Sequence, residues 1–165
     1  MTTLTAAATA ARLFHRPVAT GPAYWGPGDH YTFLVTGEES GGAYFAMEAL
    51  VPPGGGPPPH IHTREDETFY LLEGQVEFLL GEETLVAGPG DFVNVPRGTA
   101  HRFRNTGAET ARLVLTFTPA GIERWFEETL ERAPNDVQVE DVPDNIDEVA
   151  ARYVAAAPRY GLEFV

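Results

Sequence analysis

His60 and His62 stand two residues apart, and a carboxylate, Glu67, follows five residues after His62. On an extended segment, side chains at i and i+2 point to one face, roughly 6–7 Å apart along the strand. Glu67 can fold back onto that face from the next turn or strand, with Glu65 and Asp66 as rival carboxylates. His101 lies in a second turn-rich stretch, Gly90 to Asn105. If a neighbouring strand carries it, three imidazoles and one carboxylate converge on a point, which is the donor set of a metal site. His15 and His30 have no such company and read as surface or ordinary core histidines.

What surrounds these residues limits the chemistry. The chain has no cysteine, so disulfides, thiolate nucleophiles, Cys-zinc sites and iron–sulfur clusters are excluded, and any metal must be held by nitrogen and oxygen. A net charge of -13 repels phosphate backbones and anionic lipid headgroups, which argues against nucleic acid or a membrane surface as partner. No run approaches the ~20 apolar residues of a membrane span. The N-terminal residues lack a basic leader and a strongly apolar stretch, so the expectation is a soluble, cytoplasmic protein. At 165 residues with ten Phe, six Tyr and two Trp, one packed domain is the natural size.

The elements that must position the site read as strand after strand. Residues 1–12 suggest a weak helix or a fraying end, and 13–30, with Pro17, Pro22 and Pro27, an extended arm. Tyr24 and Trp25 on that arm expect an apolar docking place. Strands are predicted over 31–36, 43–51, 68–73, 75–80, 84–87, 92–95 and 112–118, punctuated by Gly and Pro. The loop Pro52 to Pro59 cannot be helix or central strand, and its expected role is to deliver His60 at a fixed angle. His101, Phe103 and Asn105 alternate with Arg102 and Arg104, so one face takes the imidazole and the other the arginines. After Pro119 the period becomes helical. Ile122, Trp125, Phe126 and Leu130 form a stripe opposite Glu123, Glu127, Glu128 and Glu131, ended by Pro134. A second helix is predicted from Asn145, with Glu148 as its capping-box partner and an apolar stripe of Ile146, Val149, Ala150, Tyr153, Val154 and Ala157. The whole divides as an arm (1–30), a barrel (31–118) and a helical extension (119–165) within one domain.

Two patterns then match a known family. Gly54-x5-His60-x-His62-x4-Glu67-x6-Gly74 and Gly90-x5-Pro96-x-Gly98-x2-His101-x3-Asn105 resemble the two motifs of the cupin superfamily, position for position. The fifteen residues between them are similar to the short spacing of small single-domain cupins. The resemblance implies an all-β jelly-roll barrel (a double-stranded β-helix) with C-terminal α-helices. It also implies a divalent transition metal (Fe, Ni, Mn, Co or Zn) held by His60, His62, Glu67 and His101. Only Glu67 has the motif's spacing to Gly74, which selects it over Glu65 and Asp66. Looser similarities, in Phe69 to Gly74, in 119–126 and in the Tyr160 to Phe164 tail, resemble the quercetin dioxygenase-like group.

That likeness implies a dioxygenase acting on an aromatic or enolic small molecule, with dioxygen as co-substrate and Glu67 both ligating and taking the substrate proton. Phe69, Phe78, Phe92 and Phe103 are candidate pocket walls, each equally readable as barrel core. The alternative is a non-redox cupin: an isomerase, a cyclase or a small-molecule binding protein. A phosphosugar enzyme would need basic residues inside the barrel, and Arg102 and Arg104 fall on the face opposite His101. A homodimer is expected from the family and from the aromatic arm, whose Tyr24 and Trp25 would suit a partner chain.

Overall fold

The computed structural model describes residues 10–136 and 145–165. Ten strands precede the first helix: β1 (Ala23–Trp25), β2 (His30–Val35), β3 (Phe45–Val51), β4 (His60–His62), β5 (Asp66–Glu73), β6 (Val76–Leu80), β7 (Glu83–Ala87), β8 (Phe92–Val95), β9 (His101–Asn105) and β10 (Ala111–Thr118). There follow α1 (Glu123–Thr129), β11 (Glu131–Arg132), α2 (Ile146–Ala156) and β12 (Leu162–Phe164). The strands pair antiparallel in two sheets, ordered β11-β1-β2-β3-β10-β5-β8 and β12-β4-β9-β6-β7. This is the expected jelly-roll arrangement with helices after the barrel. No helix among the described residues is long and apolar enough to cross a membrane.

Alternation along the strands builds the core between the sheets. On β10, Ala111, Leu113, Leu115 and Phe117 are buried while Arg112, Val114 and Thr116 are not. Phe69 of β5 meets Phe78 of β6 at a ring separation of 4.9 Å and Phe103 of β9 at 5.6 Å, so aromatic contacts join one sheet to the other. Each such side chain contributes ~1.5–3 kcal/mol by leaving water. The helices close one end: Trp125 of α1 stacks on Tyr153 of α2 at 3.8 Å and donates its indole N–H to the Tyr153 carbonyl at 2.9 Å.

Several expectations are corrected. Tyr24 and Trp25 find their apolar docking place within their own chain rather than at a partner, buried at 5% each on a strand between β2 and β11. That removes the physical argument for a partner chain there and leaves the dimer to family resemblance. Helix α1 stops at Thr129 rather than at Pro134, because Leu130 turns extended and Glu131–Arg132 pairs with β1. Glu123 is buried rather than solvated: its carboxylate accepts from the Gly37 and Gly121 amides at 2.9 and 2.7 Å, pinning the helix to the β2–β3 turn. Asn145 precedes α2 without a side-chain cap, so the capping box does not form. Val154 is half exposed and Ala156 is buried in its stead. The weak helix considered for 1–12 falls largely outside the described residues.

Candidate functional site

The loop from Pro52 to Pro59 is fastened to the end of β9 by backbone pairing with Asn105. Gly54 donates to the Asn105 carbonyl at 2.8 Å, and the Asn105 amide donates to Gly55 at 3.0 Å. The buried Asn105 side chain donates to the Val51 and Glu109 carbonyls and accepts from the Gly107 amide, each at 2.8 Å. Gly56 lies so close over β9 that a Cβ there would sit 2.2 Å from the Phe103 carbonyl oxygen, at a φ of +125°. Only glycine fits that approach. So anchored, the loop sets β4 beside β9 with His60 directly opposite His101. Further along the same edge of β4, the Gly98 amide, just ahead of β9, donates to the His62 carbonyl at 2.8 Å.

His60 and His62 share a face of β4, with ring centroids 5.0 Å apart; His60 and His101 are 4.4 Å apart, His62 and His101 5.6 Å. Glu67 comes from the opposite sheet, on β5, so the site bridges the two layers. Its Oε2 lies 3.2 Å from His62 Nε2 and 2.9 Å from His101 Nε2. One donor atom from each of the four residues falls within 4.8 Å of the others, and all four side chains are buried. The four residues expected from sequence are therefore brought together.

Electrostatics follow from burial. Burial, with neighbouring imidazoles adding to it, lowers His60 to about 3, so this ring is neutral. Burial alone would raise Glu67, but His62 and His101 outweigh it and hold the carboxyl at about 2. Burial likewise opposes the proton on His101, yet its hydrogen bond to Glu67 and the negative charge there raise it. His60 Nδ1 and His101 Nδ1 point at the Pro58 and Thr99 carbonyls, 2.9 Å away in each case. A carbonyl only accepts, so Nδ1 carries a proton in both rings; Nε2 of the neutral His60 keeps its lone pair for the centre, while Nε2 of His101 donates to Glu67 unless a metal takes that proton's place. Three imidazole nitrogens and one carboxylate fit a borderline divalent metal.

The rival carboxylates are accounted for. Asp66 points outward and pairs with Arg97, whose Nε and Nη2 reach it at 3.0 Å each. Glu65 is buried behind His62, its Oε2 3.9 Å from His62 Nδ1. Arg102, on the far face as expected, pairs with Glu77 at 3.1 Å.

A cavity of about 20 Å³ adjoins three of the four donor residues, His60, His62 and Glu67, and is lined among others by Phe103, Leu115, Phe117, Trp125 and Phe126. That is room for about one water. Of the four candidate phenylalanines, only Phe103 lines it; Phe69 and Phe78 are core, and Phe92 is 63% exposed. Tyr31, Tyr153 and Phe164 close the cavity and were not picked out as site residues from the sequence. The one signal for Phe164 was the aromatic tail itself. Strand β12 pairs that tail with β4, Phe164 opposite His60.

The family model described as Cupin domain matches residues 47–117, which span both motifs. The chain is 30% identical over 100 residues to a quercetin 2,3-dioxygenase of Bacillus subtilis, covering 60% of this chain and 29% of the relative. It is 32% identical over 103 residues to a quercetin 2,3-dioxygenase of Aspergillus japonicus, covering 58% and 29%. To the polyketide synthase CurC of Streptomyces cyaneus it is 33% identical over 92 residues, covering 56% and 60%. The chain thus matches under a third of the length of both dioxygenases and three fifths of the third protein. Among solved structures, KdgF from Halomonas sp. superposes with a TM-score of 0.55 at 21% identity, covering 61% of this chain and 89% of that one. An RmlC-like cupin from Shewanella frigidimarina gives 0.54 at 22%, covering 64% and 88%. Identities this low speak for the fold alone. Together with both motifs in order and their side chains meeting between the two sheets, the family match identifies residues 47–117 as a cupin domain, in a chain whose sequence resembles quercetin 2,3-dioxygenases.

Proposed function

We propose that the protein is a metal-dependent dioxygenase acting on an aromatic or enolic small molecule, with His60, His62, Glu67 and His101 as the metal ligands. The observation that carries this reading is the Glu67 carboxylate between His62 and His101, at 3.2 and 2.9 Å, beside an apolar cavity. Similarity to two quercetin 2,3-dioxygenases supports the reaction class. A divalent metal held by these four residues would supply Lewis acidity and a centre for dioxygen chemistry, with Glu67 placed to take the proton of a substrate hydroxyl. Glu67, ionised in this setting, is the proton acceptor. The surrounding Phe103, Phe117, Trp125 and Phe126 exclude bulk water, so the proton is not lost to solvent. The Pro58 and Thr99 carbonyls fix two of the imidazoles in a single tautomer.

The test is oxygen uptake by the metal-loaded protein over a panel of flavonols, single-ring phenols and cyclic enols. Uptake with at least one member, lost in Glu67→Ala, is the expected result. No uptake from fully metallated protein across the panel removes the proposal. A second reading, a non-redox isomerase, cyclase or binding protein, draws on the same four donors, whose nitrogen and oxygen set fits zinc as well as a redox metal. Its signature is zinc as the metal of the purified protein and no oxygen consumption.

A further inference from the structure

The 20 Å³ beside His60, His62 and Glu67 takes a water but not an organic ring. For a substrate to meet these donors, a wall must move. A second cavity, of about 160 Å³, lies alongside. Tyr31, Pro57, Tyr153 and Phe164 line both and so form the partition between them. Pro58 and Val154, elsewhere in the wall of the larger cavity, are exposed, so it borders the protein surface.

The four partition residues are not equally fixed. Pro57 has its side chain closed onto its own backbone and nothing to swing. Tyr31 is buried, and its hydroxyl donates to Asp29 Oδ2 at 3.0 Å. Tyr153 is buried and stacked on Trp125 at 3.8 Å. Phe164 is only half-buried and has no polar atom to tether it. The rings around it, those of His60, Tyr153 and Trp125, stand 6.1, 6.2 and 6.4 Å away between centres. Pairing of β12 with β4 holds its backbone opposite His60, which leaves its side-chain torsions to choose among staggered wells. Of the four, it is the one that can turn aside.

We propose that Phe164 decides what reaches the metal site: when its ring turns outward the two cavities join, and a single-ring phenol or cyclic enol lies in the larger one with its oxygen toward the four donors. Size sets the ligand class, since a cavity of about 150 Å³ lined by apolar side chains holds benzene. Proline and aromatic walls suit a flat apolar body. The proposal rests on the four donors holding a metal, and it deepens the dioxygenase reading by naming the residue that admits the substrate.

The test is phenol binding to cobalt-loaded protein under nitrogen, followed by stopped flow through the visible bands of the metal. In the wild type the observed rate should level off at high phenol, at the rate at which Phe164 opens. Phe164→Ala should bind phenol at least about tenfold faster and without a plateau, and Phe164→Trp should bind it more slowly than the wild type. Phe164→Leu, a milder truncation, should fall between wild type and Phe164→Ala and serves if the latter does not fold. Cobalt stoichiometry and the phenol-free spectrum should be alike in all, which shows the donors undisturbed. Slower or weaker phenol binding in the truncated variants would make Phe164 a packing surface for the ligand and overturn the proposal. Equal rates in all proteins, or spectra that phenol leaves unchanged in every one, overturn it too. Because neither dioxygen nor turnover is involved, gated phenol binding without oxygen uptake counts against the dioxygenase alone. Oxygen uptake with phenol association unaltered in Phe164→Ala counts against Phe164 alone.

Discussion

His62 Nδ1 and Glu65 Oε2 lie 3.9 Å apart, both buried and neither with a hydrogen-bond partner. The other two histidines of the site each direct Nδ1 at a carbonyl 2.9 Å away. Glu65 stands where the equivalent partner of His62 belongs, slightly out of reach. Carboxylates behind a ligating imidazole set its tautomer and orientation, and losing one typically lowers metal affinity by 10–100-fold. Glu65→Ala is therefore expected to weaken zinc binding to this degree in a competition titration against a chromogenic chelator. Glu65→Gln, which still offers an oxygen to Nδ1–H, should retain most of the affinity. Equal affinity in wild type and Glu65→Ala would deny Glu65 this role.

Adjacent carboxylates on β5 should behave in opposite ways. Asp66 faces outward and is bound to Arg97 at 3.0 Å, whereas Glu67 faces the three histidines. Asp66→Asn should leave metal stoichiometry at the wild-type level, and should change stability little, since an exposed ion pair is screened by solvent. Glu67→Gln should lose metal at the same free concentration. Elemental analysis of the three proteins, purified side by side, decides it.

The clustering of the four candidate ligands was legible in the sequence because strand geometry links spacing to facing: His60 and His62 share a face by parity, as do His101, Phe103 and Asn105. The same parity turns Asp66 outward and Glu67 inward once β5 begins at Asp66. What stayed hidden depends on contacts across long stretches of chain. Nothing local to 162–164 says that it will pair with 60–62 and place Phe164 opposite His60. Asp29, in a Pro/Gly-rich stretch, carried no sequence signal of burial, and the residues it shares a cavity wall with come from α2 and the 52–59 loop, distant in sequence. The helix stripe erred for a similar reason, since the barrel end decides whether Val154 or Ala156 is covered.

Asp29 also gives the protein a pH signature. Its carboxyl is held at about 7 in the fold by burial, the Tyr31 and Gly56 hydrogen bonds only partly opposing, against an ordinary value near 4 when unfolded. A raised carboxyl means that the folded state keeps its proton while the unfolded state has lost it. Stability should thus fall by about 1.4 kcal/mol per pH unit between roughly pH 4 and 7, and level off above. Asp29→Asn carries no such slope. Urea unfolding at pH 5 and pH 8 should show the variant gaining on the wild type by a few kcal/mol at the higher pH. A constant difference between the two proteins would mean that the carboxyl titrates alike in both states.

Metal should stabilise the fold through the two sheets it joins. His60, His62 and His101 belong to the sheet ordered β12-β4-β9-β6-β7, and Glu67 to the other, so an ion shared by all four ties the layers together and binds only the folded chain. A ligand at a hundred times its dissociation constant adds about 2.7 kcal/mol by mass action. Zinc or manganese at that level should raise the urea midpoint of the chelator-treated protein, and excess chelator should reverse the gain. His60→Ala should remove the response. The truncation itself frees a buried ring whose Nδ1 is tied to Pro58, so the variant's own midpoint falls as well. The diagnostic quantity is therefore the metal-induced shift within each protein, not the difference between proteins. An undiminished shift in His60→Ala would place the ion somewhere other than the junction of β4, β5 and β9.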